Sequence, residues 1–353
     1  MKTFLYLIVD NNTFPPQTTY LTGGIGPGSL VVEDLNGDNR PDIAVSNFGS
    51  NNVGVLLNAG GGNFLSPVTY PVDVYPIFLV AADVNSDNKP DLLVVNMGSS
   101  SVGVLLNNGN GSFPPQITYP TLGHSVALSV ADVNNDSLLD LVVVNTNTDD
   151  ISVLLHAGNG TFRLPTKYPV GVHPTAVAVS DMNNDRLMDI IVVNSHLSNV
   201  GILFNKGNGT FLPQVTYSTN PFPTELAISD INNDGRLDIA VVNYNLNNII
   251  VLLNSGNGTF PSFDTYATGT SPNSISIFDL NNDGFDDITV TNHDSHNIGV
   301  FINTGNGTFL PQIIYPAGNY PNSVKIIDVD NNGKLDVLVT NVGDANVGVF
   351  LQN

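Results

Sequence analysis

A nine-residue acidic segment opens at Asp34, Asp83, Asp132, Asp181, Asp230, Asp279 and Asp328, seven times at a constant step of 49 residues. A fixed period of this size marks one supersecondary unit that buries its apolar face only against copies of itself. Seven such units take up nearly all of the 353 residues, so residues 1–353 are read as one domain. Other positions keep the same phase. Phe64, Phe113, Phe162, Phe211, Phe260 and Phe309 form one series, and Tyr70, Tyr119, Tyr168, Tyr217, Tyr266 and Tyr315 a second. Asn47, Asn96, Asn145, Asn194, Asn243, Asn292 and Asn341 form a third. Phe14 and Tyr20 continue the first two with a one-residue slip, which puts one extra residue between Tyr20 and Asp34.

Each unit reads as four short strands. In the fourth, Ala176 to Ser180 precedes the acidic segment, and Ile190 to Val193 is a β-branched run that follows it. Asn194 to Asn199 is a polar turn, Val200 to Phe204 a third strand, and Gly207-Asn208-Gly209-Thr210 a tight hairpin turn. Gln214 to Tyr217 is the fourth strand, with Pro213 before it as suits an outer edge. No stretch carries a helical period with caps, so no helices are expected. Four strands per unit, seven times, predict an all-β, seven-bladed β-propeller of four-stranded antiparallel blades. The chain ends after a third strand, Val347 to Leu351, and begins near a fourth, Gln17 to Tyr20. The N-terminal strand is therefore expected to complete the last blade and cover its edge. Met1 to Val9 stands outside this scheme, as an extra segment in phase with a degenerate third strand.

The acidic segments, 34–42, 83–91, 132–140, 181–189, 230–238, 279–287 and 328–336, follow the pattern D-x-[DN]-x-[DN]-x-x-x-D. Their oxygen-bearing positions are Asp34, Asn36, Asp38 and Asp42 in the first loop, and Asp83, Asn85, Asp87 and Asp91 in the second. The third has Asp132, Asn134, Asp136 and Asp140, and the fourth Asp181, Asn183, Asp185 and Asp189. Asp230, Asn232, Asp234 and Asp238 follow, then Asp279, Asn281, Asp283 and Asp287. The seventh loop swaps two types, giving Asp328, Asp330, Asn332 and Asp336. Side-chain oxygens two residues apart, with the backbone carbonyl of position seven, suit a hard cation that takes six to eight oxygens. That carbonyl belongs to Arg40, Lys89, Leu138, Leu187, Arg236, Phe285 and Lys334. Up to seven structural Ca²⁺ are expected; Mg²⁺ demands a tighter octahedron and keeps its waters. The competing reading is a set of Asx-rich turns with no metal. Position six is Gly235, Gly284 and Gly333 in the last loops but Ser137 and Arg186 in the third and fourth, so those two sites are expected to be the weakest.

Charge supports the metal reading. The chain has 31 acids, 10 Lys plus Arg, and a net charge of -21. The ligand positions of the loops hold 21 of the acids, and the ten others match the ten bases. So strong an excess of carboxylates repels phosphate backbones and anionic lipid, which argues against nucleic-acid and membrane-surface partners. The run Phe4 to Val9 is far too short for a membrane span, which needs about 20 residues. Zero Cys excludes disulfides and thiol chemistry.

The loops resemble those of the FG-GAP/VCBS repeat family, the calcium-loop propellers that include the integrin α head. So do third strands that run into glycine turns, as in Val102-Gly103-Val104-Leu105-Leu106-Asn107 followed by Gly109-Asn110-Gly111-Ser112-Phe113. The resemblance spans essentially the whole chain. It implies the propeller and its calcium; for function it implies only a range, from adhesion heads and lectins to scaffolds of carbohydrate-active enzymes.

Strand alternation places the acidic loops and the Gly-Asn-Gly turns on one face, and the second-to-third turns and blade connectors on the other. The sequons at Asn11, Asn110, Asn135, Asn159, Asn208, Asn257 and Asn306 all fall on the acidic face. They are candidate glycosylation sites, or simply good turn chemistry. The opposite face is then the candidate ligand surface, with Tyr75, His124, His173, Phe222 and Tyr320 eight residues before successive loops, where their rings could encircle the axial mouth. His196 is expected to approach His173. Second-to-third turns also carry Phe48, Met97, Tyr244, His293 and His296. With four Arg and two Glu in the chain, catalytic groups are scarce and no catalytic residue is assigned. The expectation is an extracellular, monomeric, calcium-stabilised binding module for a glycan or an extracellular protein. A lyase- or dehydratase-type carbohydrate-active enzyme, or a purely structural repeat, is the alternative. Extracellular location follows from calcium supply. Lys2 and Phe4 to Val9 resemble the start of a signal peptide, but the apolar core is short and no small-residue cleavage site follows.

Overall fold

The computed structural model describes residues 14 to 352. Met1 to Val9 and the Asn11 sequon lie outside the described residues. Seven four-stranded antiparallel sheets stand in a ring, each running from an inner strand at the axis to an outer edge. Blade one consists of Pro27–Glu33, Asp42–Asn47, Asn52–Leu56 and Val68–Pro71. Blade four consists of Pro174–Ser180, Asp189–Asn194, Asn199–Leu203 and Val215–Ser218, within a residue or two of the ranges read from the sequence. Blade seven takes Pro321–Ile327, Asp336–Asn341 and Asn346–Phe350, and its outer strand is Thr18–Leu21. The pairing runs from Thr18 opposite Val349 to Leu21 opposite Asn346, so the N-terminal strand closes the ring as expected. Two small ribbons, Asn58–Gly60 with Asn63–Phe64 and His156–Gly158 with Thr161–Phe162, extend the third-to-fourth turns. The only helical elements among the described residues are single 3₁₀ turns after second strands, such as Ser195–Leu197. None is long and apolar enough to cross a membrane.

Burial explains the strand types. All seven second strands are buried on both faces, because each blade is sandwiched between two others. They therefore read as continuous Val, Ile and Leu runs instead of alternating. The core is a ring of seven such interfaces. In one, Ile191, Val193 and Ile202 of blade four pack on Leu226, Val241 and Ile250 of blade five.

The phased Phe and Tyr series close these interfaces at their outer rim. Each outer-strand Tyr meets the Phe of the next blade edge-on: Tyr168 with Phe211 at 5.4 Å, Tyr217 with Phe260 at 5.1 Å, and, across the slip, Tyr315 with Phe14 at 5.3 Å. Such pairs add about 0.5–1.5 kcal/mol beyond area burial. The Tyr217 hydroxyl also donates to the Gly258 carbonyl oxygen at 2.7 Å. The phased Asn series is structural. Asn194 is fully buried, and its Nδ2 donates to Asn199 Oδ1 at 2.8 Å, pinning the turn between second and third strands.

Every inner strand is bulged near its start, as between Pro174 and Ala176. Bulges bend a strand and re-aim its side chains. Here they sit at the face opposite the acidic loops, where the axial channel opens.

Candidate functional site

The seven acidic loops share one conformation, built from their own side chains. The position-one carboxylate accepts the position-six N–H at 2.7–2.8 Å in all seven. In loop four, Asp181 Oδ1 and Asn183 Oδ1 both accept the Asp185 N–H at 3.0 Å, and Asp185 Oδ1 accepts the Leu187 N–H at 2.8 Å. The chain reverses at positions four and six, which hold left-handed backbone. At position six φ is 84° for Gly235, but 67° for Ser137 and 70° for Arg186, so the strain expected in the third and fourth loops is present.

Position nine is different from the others. Asp42, Asp91, Asp140, Asp189, Asp238, Asp287 and Asp336 open the second strands and are fully buried. Asp189 Oδ2 accepts the Met182 N–H at 3.1 Å and its Oδ1 accepts the Asn205 N–H at 2.9 Å. The sixth loop departs: Asp287 Oδ1 accepts the Asn303 N–H at 2.8 Å, but no well-formed hydrogen bond reaches Oδ2. Burial pushes Asp42, Asp91, Asp189, Asp238 and Asp336 up to about 6, and Asp287 to about 7, more than backbone N–H bonds pull them down.

The donor set fits a hard cation. In the seventh loop, one oxygen each from Asp328, Asp330 and Asp336 lie within 4.8 Å of one another. Unit charges about 4 Å apart repel by roughly 1–4 kcal/mol at effective dielectrics of 80 to 20. In the other loops position three is Asn, so the same corner holds two carboxylates and an amide oxygen. At position seven, Arg40, Lys89 and Arg236 turn back on the position-five carboxylate, with N–O distances of 3.9, 3.2 and 3.1 Å. These ion pairs are exposed and contribute little.

A second phased series ties each loop to its neighbour. Asn58, Asn107, His156, Asn205, Asn254, Asn303 and Gln352 follow the third strands, and all are buried. Asn205 Nδ2 donates to Met188 of its own loop and to Val133 of the preceding loop, both at 2.8 Å. His156 does the same work with a ring: Nε2 meets the Val84 carbonyl oxygen at 2.7 Å and Nδ1 accepts the Gly158 N–H at 2.9 Å. The Nε2–H tautomer follows from that pair of contacts. These residues had no assigned role in the sequence reading, although their 49-residue phase is visible there. The sequons Asn110, Asn135, Asn159, Asn208, Asn257 and Asn306 are exposed on these loops and turns. Asn208 Oδ1 accepts both the N–H and the hydroxyl of Thr210, which is turn chemistry.

On the opposite face the rings form clusters instead of one circle. Of the six assigned residues only Tyr75 lines the axial cavity, beside Phe48. The two rings lie 5.0 Å apart. His173 stacks on His196 at 4.2 Å and 16°, and Phe222 meets His196 edge-on at 6.0 Å. Tyr320 sits between His293 at 5.0 Å and His296 at 4.9 Å. His124 joins none of these, and the exposed Leu122 takes the left-handed position in its connector. Phe222 and Tyr320 are 44% and 45% exposed, so neither is filler for an inter-blade gap. Tyr75, His173, Phe222 and Tyr320 have φ of 59°, 54°, 57° and 56°, at the position where blade one has Gly26. A bulky residue there is strained where glycine is relaxed. In blade six, Asp294 holds Ser271 Oγ at 2.6 Å and His293 Nδ1 at 2.8 Å, and these bonds keep its carboxyl below the usual range.

Several solved structures share this fold. A streptogramin B lyase aligns with a TM-score of 0.67 at 16% identity, over 96% of this chain and 97% of that one. BBS1N, determined in complex with ARL6DN, aligns at 0.69 and 13% identity, over 97% and 98%. An Agrocybe aegerita lectin, whose structure addresses recognition of non-reducing terminal N-acetylglucosamine, aligns at 0.58 and 20% identity, over 83% and 80%. At these identities the likeness is one of fold. No curated protein is similar in sequence. The FG-GAP-like repeat matches six overlapping segments, residues 34–94, 83–143, 132–192, 181–241, 230–290 and 279–339. These matches span all but the first and last stretches of the ring, and the chain belongs to the FG-GAP-like repeat family.

Proposed function

We propose that this chain is a calcium-stabilised extracellular binding propeller, acting as a monomer, that recognises a glycan or an extracellular protein on the face opposite its acidic loops. The observation that carries this reading is the set of rings kept in left-handed backbone, exposed at Tyr75, Phe222 and Tyr320 and half-buried at His173. Strained residues persist where they serve a purpose other than stability. Exposed aromatic and imidazole rings on a rigid rim suit stacking against sugar rings or the anchors of a partner loop.

The acidic loops supply the rigidity. Side-chain oxygens of positions one, three, five and nine, with the position-seven carbonyl, would hold Ca²⁺ in each. The bound ion's charge offsets carboxylates that otherwise repel. Seven Ca²⁺ would reduce the net charge of -21 to -7. The chain's own residues do the rest. Position one orders the loop, position nine joins it to the second strand, and the Asn58 series joins it to the next blade. Binding is proposed in preference to turnover because catalytic groups are scarce, with four Arg and two Glu in the chain.

The test is a glycan array in millimolar calcium, repeated in chelator, alongside thermal unfolding in the same two buffers. Calcium-dependent binding to a defined glycan, lost on mutating Phe222 or Tyr320, supports a lectin-like role. Absence of any glycan signal moves the reading to a protein ligand. An unchanged melting temperature with no metal bound would overturn the calcium assignment.

A further inference from the structure

The axial channel holds a cavity of about 680 Å³, and all seven inner strands line it. That size lies within the roughly 300–1,000 Å³ of small-molecule sites. A channel built by a repeat should be lined alike all round, but this one has two unlike walls. The difference is sharpest two residues after the proline or its equivalent that opens each inner strand. Five blades carry Ser or Ala there, while blade two carries Phe78 and blade five carries Glu225. The two residues share a register and line the same cavity from nearly opposite blades.

Phe78 belongs to an aromatic wall that continues to Phe48 and Tyr75 at the open end. Glu225 belongs to a hydrogen-bonding wall. Its Oε2 accepts the Ile275 N–H of the next blade at 3.1 Å, which holds the carboxylate against the channel side. Asn273 and Asn322 continue that wall, with Asn273 Nδ2 donating to Asn322 Oδ1 at 2.7 Å. Lys325 faces the same channel; burial pushes the Glu225 carboxyl up, and the Lys325 charge pulls it back by less. Among the described residues, Glu225 and Lys325 are the one acid and the one base of the lining. Glu225 is one of only two glutamates in the chain.

We propose that this channel is a binding pocket for a neutral pyranose ring, with Phe78 and Tyr75 against its apolar face and Glu225 accepting hydrogen bonds from its hydroxyls. This deepens the glycan reading above and rests on it for the ligand class, but it places the specificity determinant inside the channel instead of on the rim. A sugar ring has the matching asymmetry of one C–H face and hydroxyl edges. A carboxyl oxygen accepts from such hydroxyls whether or not the group is ionised.

The experiment is saturation-transfer difference NMR on the full chain in millimolar calcium, with a panel of methyl pyranosides as probes. It is run on the wild type, Glu225→Gln and Phe78→Leu, with folding of each variant checked by circular dichroism. The expected result is a signal from at least one pyranoside in the wild type and a loss of affinity of roughly tenfold or more in Glu225→Gln. Phe78→Leu, which keeps bulk but removes the ring, is expected to weaken the same probe. Equal signals in all three proteins overturn the channel site. So does silence with every pyranoside in the wild type. If the array is positive in either case, the rim reading stands and only the channel fails. Pyranoside binding that depends on Glu225 with a blank array supports the channel and leaves the rim to a protein ligand.

Discussion

The side-chain amide of Asn205 donates to the Val133 carbonyl oxygen at 2.8 Å, across 72 residues and from one blade into the acidic loop of the one before it. The same amide holds Met188 in its own loop, so two loops share one buried side chain. Replacing Asn205 by Ala leaves two carbonyl oxygens and the Gly207 N–H without this partner. A loss of about 1–3 kcal/mol in urea unfolding is expected. His156→Asn, which installs the residue most other blades use, is expected to change stability far less. Equal effects of the two substitutions would count against the bridging role.

Metal-free protein should respond to acid in an unusual direction. Burial pushes Asp42, Asp91, Asp189, Asp238 and Asp336 up to about 6 and Asp287 to about 7, above the ordinary 3.8, and raises Asp140 as well. A raised folded pKa means protons bind the native state more tightly than the unfolded one. That contribution is complete below about pH 4 and is lost as pH rises through 6 to 7. In chelator, the melting temperature is therefore expected to rise as pH falls from 7.5 to 5. Protons and calcium compete for these carboxylates, so calcium affinity should weaken over the same interval. A chelated protein whose melting temperature falls steadily over that range would refute the burial argument.

Arg186 holds φ of 70° at a loop position where Gly235 holds 84°. Arg186→Gly removes the side-chain penalty and is expected to stabilise loop four by about 1 kcal/mol. Isothermal titration should then show tighter calcium binding at the weakest sites, and Ser137→Gly should do the same in loop three. No change in either variant would mean that the loops absorb the strain at no cost.

Phe222 offers a separation of stability from recognition. Phe222→Gly is expected to leave the melting temperature unchanged or to raise it, since glycine relaxes φ of 57°. The same variant is expected to lose ligand binding on the array. A clear loss of stability would show that the ring packs for the fold, and would remove the argument that it is kept for a ligand.

The blades and the acidic loops were legible because their chemistry is local. Asp181, Asn183, Asp185 and Asp189 lie within nine residues, so hydrogen bonding and ligand spacing both show in the pattern. Ring closure was legible from a third strand at Val347 to Leu351 and a fourth at Gln17 to Tyr20. The bridge from Asn205 to Val133 was not, because its 72-residue span is no multiple of the 49-residue period. Its phase could be seen but not its partner. Glu225 was hidden for the opposite reason: it departs from the repeat at a position where most units carry something small. The rim rings were located in sequence, and so was the approach of His196 to His173, but the grouping of Tyr320 with His293 and His296 depends on left-handed backbone that residue identity does not reveal.

The closing strand gives the ring a mechanical weak direction. Thr18 lies opposite Val349, and the pairing then runs inward to Leu21 opposite Asn346. Tension applied between Thr18 and Val349 therefore loads the outermost bond of this pair first and opens the others one at a time, like a zip. Load through any other blade would cross complete sheets. A tether at these two ends should part at the seventh blade while the other six remain folded, so the ring can yield to a pull without losing most of its surface.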